Sequence, residues 1–191
     1  MRYDKGHKDE TRRHILDVAS AQFRESGIAA VGLAGIMSEA GLTNGAFYSH
    51  FASKEDLVRE VLTDALTRRE ERHKANLENG VALETTIRDY LSARHRDRAG
   101  TGCPTAALAA EIARHPKATR EAFTDKIADI IVLMAKQIGH GSAQERRRKA
   151  ITIYSTMVGA LQLARAVNDR QLSDEILQNA VEAAVTIANE R

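Results

Sequence analysis

Apolar positions recur with a helical period along nearly the whole chain. Ile15, Ala19 and Phe23 step by four with Leu16 beside them, and this stripe predicts a helix over 9–26. Gly27 is its C-terminal stop. Leu33, Ile36, Met37 and Ala40 follow at i, i+3, i+4 and i+7, a second and shorter helix that Gly41 ends. Thr43 is placed to cap a third helix over about 44–50, its hydroxyl accepting an otherwise unpaired backbone N–H. Ser53 opens a fourth, with Asp56 three residues on in the capping-box position. Leu57, Val58, Val61, Leu62, Ala65 and Leu66 carry that helix until its polar end runs out near Gly80. Longer helices are predicted beyond it, over 82–96, 104–114, 117–138, 143–168 and 172–189. RDRAGTGCP, His115-Pro116, GHGS at 139–142 and NDRQ at 168–171 separate them. Strand-like alternation and internal repeats are absent from the sequence. The expected fold is all-α: a three-helix unit over 1–54, a connecting helix over 54–76, and a larger helical body within 55–191.

Composition agrees and narrows the setting. The chain has 191 residues, 43% hydrophobic and 28% charged, with two Pro and no Trp, a mix that favours helices. No apolar run approaches the length of a membrane span, and the charged start MRYDKGHKDETRRH has no secretory apolar stretch. A single Cys allows no internal disulfide, so a cytoplasmic location is expected and no membrane partner. Net charge is +2, and residues 1–60 hold eight Lys and Arg against nine Asp and Glu. Bulk charge therefore gives no argument for nucleic acid, and only placement can. Arg2, Lys5, Lys8, Arg12 and Arg13 do crowd the first residues, as a contact surface or as a solvated tail.

The segment GLTNGAFYSHFASKEDL, residues 41–57, concentrates the chemistry. Two short helices joined by a tight turn at Gly41 form a helix-turn-helix. Phe47 and Phe51, four apart, should hold the third helix onto the first two. Thr43, Asn44, Gly45, Ala46 and Tyr48 are then left facing outward. Small polar residues can approach a groove floor, Asn can read a base edge, and Thr or Ala methyls can touch a thymine methyl. Tyr48, His50 and Lys54 flank them as donors for backbone phosphates, and the first N–H groups of the fourth helix offer another phosphate site. Singly, each also has a plain structural reading: Tyr48 half-buried, His50 a surface or capping residue, Lys54 solvated. Their coincidence in one short window favours the interface.

GIMSEAGLTNGAFYSHFASKEDL resembles the signature of the TetR family of bacterial transcriptional regulators, in which the helix-turn-helix reads T-x-G-x-F/L-Y-x-H-F-x-x-K-E-x-L. Thr43, Gly45, Phe47, Tyr48, His50, Phe51, Lys54, Glu55 and Leu57 match it, and TRRHILDVASAQFRESGIAAVGLAGIM resembles the family's first two helices. The likeness covers about the first 65 residues, with a weaker echo in GCPTAALAAEIARHP at 102–116. It implies a DNA-binding domain followed by a ligand-binding and dimerisation domain. It further implies a homodimer on a palindromic double-stranded DNA operator, usually a repressor released by a small-molecule inducer. It assigns phosphate contacts to Tyr48, His50 and Lys54, and the recognition surface to Thr43, Asn44, Gly45 and Ala46. Val31-Gly32 departs from the Thr or Ser that many members carry at the start of the second helix, so that hydroxyl is missing.

The last two predicted helices are apolar on more than one face. Met157, Val158, Leu161, Val181, Ala184 and Val185 are candidates for a two-fold four-helix interface, with a central place in the monomer as the alternative. Tyr90, Cys103, Leu108, Phe123, Met134, Tyr154 and Met157, apolar or soft groups with a few polar handles, are candidates for an inducer pocket or simply core. Cys103 at a helix start is a possible redox or electrophile sensor, or a structural thiol. Seven scattered His, no Cys/His cluster and no phosphate-loop pattern argue against an enzyme and against any cofactor. A helical protein-interaction module without DNA binding, and a Cys-dependent enzyme through Cys103, are the remaining alternatives.

Overall fold

A computed structural model describes the chain from Lys5 to Glu190. Arg2 of the basic start lies outside the described residues, as does the side chain of Lys5. Ten α-helices follow in order: α1 Lys5–Ser26, α2 Leu33–Glu39, α3 Asn44–Phe47, α4 Lys54–Glu78, α5 Leu83–Tyr90, α6 Ala93–Arg96, α7 Pro104–Ile112, α8 Lys117–Gln137, α9 Ala143–Ala166 and α10 Arg170–Asn189, with a short 3-10 turn at Ala99–Thr101 before α7. The all-α expectation holds among the described residues.

Two predicted elements differ. The stretch over 82–96 is two helices, because Leu91 leaves helical geometry and the Ser92 hydroxyl accepts the His95 N–H to start a new turn. The third helix is a single turn, and Tyr48 to His50 continue it only as a hydrogen-bonded turn, Phe51 N–H reaching the Phe47 carbonyl at 3.0 Å.

The N-terminal head is α1 to α3 resting on the first half of α4. Ile15, Ala19, Phe23, Ile36, Met37, Phe47, Phe51, Leu57 and Val61 fill its interior. The tight turn between α2 and α3 is built as the glycine requires. Gly41 sits at φ +69, its N–H donates to Ser38, and the Leu42 N–H reaches back to the Met37 carbonyl at 2.8 Å, the hydrogen-bond pattern of a Schellman stop. A Cβ on Gly41 meets nothing within 4 Å, so Gly41→Ala should cost conformational energy alone, about 1–2 kcal/mol. Urea unfolding of the variant measures it, and an unchanged midpoint would contradict this reading of the turn.

In the body α4 lies along α8, and α9 pairs with both α8 and α10. Met157, Leu161 and Ala184 are wholly buried inside the protomer and Val181 nearly so; only Val158 and Val185 of the expected interface set are partly exposed. The wide apolar stripes arise because both helices are central to the fold. The outward apolar residues here are Ile151 and Leu163 on α9 and Leu172 on α10.

Candidate nucleic-acid interface

Phe47 and Phe51 are 1% and 2% exposed, and their rings stack with centroids 5.5 Å apart. Arg12 of α1 lies over the Phe51 ring at 4.6 Å, and Tyr48 meets the Phe47 ring edge-on at 5.2 Å. This apolar prop fixes what faces out. Thr43, Asn44, Gly45 and Tyr48 are exposed, Tyr48 at 70%, while Ala46 is half-covered. A tyrosine that open, on a segment held from behind by two rings, has its hydroxyl free for an outside partner.

Thr43 occupies the N-cap position of α3, yet its hydroxyl makes no capping bond. The one-turn helix is closed by the Ala46 N–H on the Thr43 carbonyl instead, leaving the Thr43 side chain on the outer surface. His50 is half-buried; burial, with Lys8 and Arg12 nearby, holds its pKa below the ordinary value, so it presents a neutral ring. Its Nδ1 is buried without a partner.

Lys54 differs from the expectation of a free phosphate donor. Its ammonium donates to the Ile28 carbonyl at 2.7 Å and is partly buried, tying α4 to the α1–α2 turn. Glu111 of α7 grips the same turn from the other side, accepting the Ile28 and Ala29 N–H groups at 3.2 and 2.9 Å. Gly27, at φ +84, begins that turn, and a Cβ there would sit 2.7 Å from the Glu111 carboxylate. Glu55 likewise faces inward, where His115 Nδ1 at 2.9 Å and the Thr119 hydroxyl at 2.5 Å hold it against the start of α8.

The start of α4 is also partly spent. The Ser53 hydroxyl takes the Asp56 N–H at 3.0 Å, and Asp56 returns to Ala52 rather than Ser53, one residue earlier than a capping box would. Arg12 pairs with Glu60, and Arg13 pairs with Asp64 at 2.6 Å. Much of the basic cluster seen in sequence thus docks α1 onto α4.

A second feature lies in the body. A cavity of about 300 Å³ opens between α4, α5, α6 and the loop before α7. Of the seven residues expected to form a pocket, Tyr90 alone lines it. Leu108, Met134 and Met157 are fully enclosed core, Phe123 packs at the core's edge, and Cys103 is buried at the start of α7. Tyr154 is core too, its hydroxyl bonded to Thr105 at 2.9 Å. His95 joins the walls: its Nδ1 donates to the Tyr90 carbonyl at 2.6 Å, so its Nε2 accepts the Cys103 N–H at 2.9 Å. That bond pair fixes the neutral tautomer.

The family model of bacterial regulatory proteins of the tetR family matches residues 15–61, and the tetracyclin repressor-like C-terminal domain matches residues 81–180. The HTH-type transcriptional regulator AcrR of Shigella flexneri is 45% identical over 60 residues, 31% of this chain and 28% of that protein. The HTH-type transcriptional repressor KstR2 of Rhodococcus jostii (strain RHA1) is 31% identical over 99 residues, 48% of each. The matched stretch thus spans less than half the length of these curated relatives. A TetR transcriptional regulator from Chloroflexus aurantiacus J-10-FL superposes with a TM-score of 0.79 at 25% identity, over 97% of both chains.

Proposed function

The chain belongs to the tetR family of bacterial regulatory proteins, and from that premise we propose that it is a DNA-binding transcriptional regulator. In this reading it is a homodimeric repressor on a palindromic operator, and a small molecule bound in the helical body releases it. The head over 1–54 reads DNA, α4 connects, and the body within 55–191 binds ligand and dimerises.

The observation that carries the proposal is the exposed Thr43–Asn44–Gly45–Tyr48 ridge backed by the Phe47–Phe51 stack. An ordinary exposed surface gives no reason to prop a 70% exposed tyrosine and the bare Asn-Gly start of α3 so rigidly; a groove-contacting element needs that rigidity. Tyr48 and His50 contact phosphates, and Asn44 contacts a base edge. Lys54 steadies the turn behind them, with donors left over for a phosphate. The outward Ile151, Leu163 and Leu172 supply a face for a second copy, whose head reads the other half-site.

Selection from random duplexes followed by binding titrations tests this. An inverted repeat should be recovered, with affinity falling steeply as salt rises. Tyr48→Phe should weaken every sequence alike, by roughly three- to tenfold. Asn44→Ala should instead relax the preference at one position per half-site, by about 1–3 kcal/mol. Recovery of no sequence, together with salt-independent binding, would refute the proposal.

A further inference from the structure

The cavity in the body is strongly cationic. Arg69 and Arg72 of α4, Arg94 of α6 and Arg98 beyond it line the space, against the single carboxylate of Asp89. Asp89 is itself open to solvent and reaches only Arg94, at 3.8 Å. Arg72, Arg94 and Arg98 are exposed at the mouth, while Arg69 lies deeper.

Arg69 has no acidic partner among the described ion pairs and lies over the Tyr90 ring at 4.7 Å, with its Nε buried and unpartnered. One turn further along α4, Nδ1 of His73, a residue 3% exposed, is unpartnered too, while on the facing wall the Tyr90 hydroxyl turns to the buried Cys103 thiol. Several guanidiniums elsewhere in the fold meet carboxylates: Arg96 meets Asp97 and Asp174, Arg170 meets Asp97, Arg13 meets Asp64. Two buried nitrogens without partners, on residues lining one space under a net excess of guanidinium charge, are a costly arrangement unless an acceptor-rich anion completes it.

We infer that this cavity is the effector site and that its ligand is a small organic acid, whose carboxylate is taken by Arg69 and by His73 in its Nδ1–H form, while Arg94 and Arg98 close over the mouth. The inference rests on the regulator reading above and gives its effector a chemical class. The volume suits an acid of roughly ten to twenty non-hydrogen atoms. Cys103 adds a consistent detail. Burial opposes ionisation of its thiol, but Arg69, the Tyr90 hydroxyl and the N–H groups of Thr105 and Ala106 together outweigh that and hold its pKa below the ordinary value. Arg69 thus attracts negative charge even from within the fold.

The geometry also says how occupancy reaches the head. Arg69 is fifteen residues along α4 from Lys54, roughly 22 Å of helix. An anion bridging Arg69 to Arg94 and Arg98 draws α4 and α6 together, and α4 carries Lys54 and Glu55 at its other end.

The test is a thermal-shift and calorimetric panel at constant ionic strength: benzoate, salicylate, phenylacetate and short dicarboxylates, inorganic phosphate, and the matching amides and amidines. Carboxylates should raise the melting temperature and bind, and the amides and amidines should not. Arg69→Gln should weaken binding at least roughly tenfold. The double variant Arg94→Ala/Arg98→Ala, confined to exposed positions, should weaken it while leaving the fold intact. Phosphate alone stabilising the protein would show an inorganic-anion site and overturn the organic-acid assignment. Stabilisation by amides or amidines instead, a response that survives Arg69→Gln, or no response across the panel would overturn the inference. DNA binding of the same samples is measured in parallel: operator binding with no carboxylate response sinks this inference alone, whereas loss of operator binding in the unmodified protein sinks the regulator reading.

Discussion

Replacing Phe47 by Ala is expected to unfold the head and abolish DNA binding. The ring is 1% exposed, stacks on Phe51 at 5.5 Å and closes the space between α1, α2 and the start of α4. Truncating such a buried phenylalanine typically costs about 3–5 kcal/mol, partly in lost burial and partly in the void left behind. That is a large share of the stability of an ordinary domain, and it falls on a unit of one long and two short helices, the last a single turn. α3 has no propensity to persist alone, so it survives only while Phe47 and Phe51 hold it. Phe47→Leu, which keeps most of the volume, should retain measurable operator binding. Urea unfolding followed by circular dichroism, with DNA titration of each variant, separates the outcomes. An Ala variant with native stability and affinity would mean that the ridge is positioned by something other than the rings behind it.

Acid should weaken the body through His73. The residue is 3% exposed, and its pKa is pulled down to about 4, by burial first and then by Arg69 and Arg72. As pH falls, the unfolded chain takes the proton near the usual histidine value, while the folded chain resists until about 4. Stability contributed by the neutral ring is therefore complete above about pH 6.5 and is lost on the way down, by about 2 kcal/mol at pH 5 and about 3 kcal/mol near pH 4. His95, whose pKa is also pulled down to about 4 by burial, acts in the same direction, since protonating Nε2 removes the acceptor of the Cys103 N–H. The check is the urea midpoint from pH 7.5 to 4.5 for the unmodified protein and for His73→Asn, whose curve should be flatter. Parallel curves would remove His73 from the account.

Much of this was legible in one dimension. Gly41, the Phe47–Phe51 spacing and the Ser53 cap are local devices, and local devices read directly. Lys54 was not, because its partner is a carbonyl twenty-six residues away, and a lysine at a helix start looks the same whether it reaches outward or back. The pocket was sought among soft apolar residues, which the chain spends on its core. The cavity uses arginines that look in sequence like the solvated face of TRREERHK. One signal was present: Leu62, Leu66, Arg69 and His73 fall on a single helical stripe, so two polar residues continue an apolar face inward. The over-wide stripes of α9 and α10 pointed to a second copy, when most of that width answers to neighbours within the same protomer.

The grip on the α1–α2 turn has an engineering consequence. Glu111 in α7 and Lys54 in α4 hold opposite sides of Ile28, so the head is latched to the body by side chains that belong to two different segments of the chain. A chimera that grafts this head onto a foreign sensor would carry the lysine along but leave the glutamate behind. Such a hybrid would bind DNA yet respond feebly to the new signal, until a carboxylate was restored opposite Gly27.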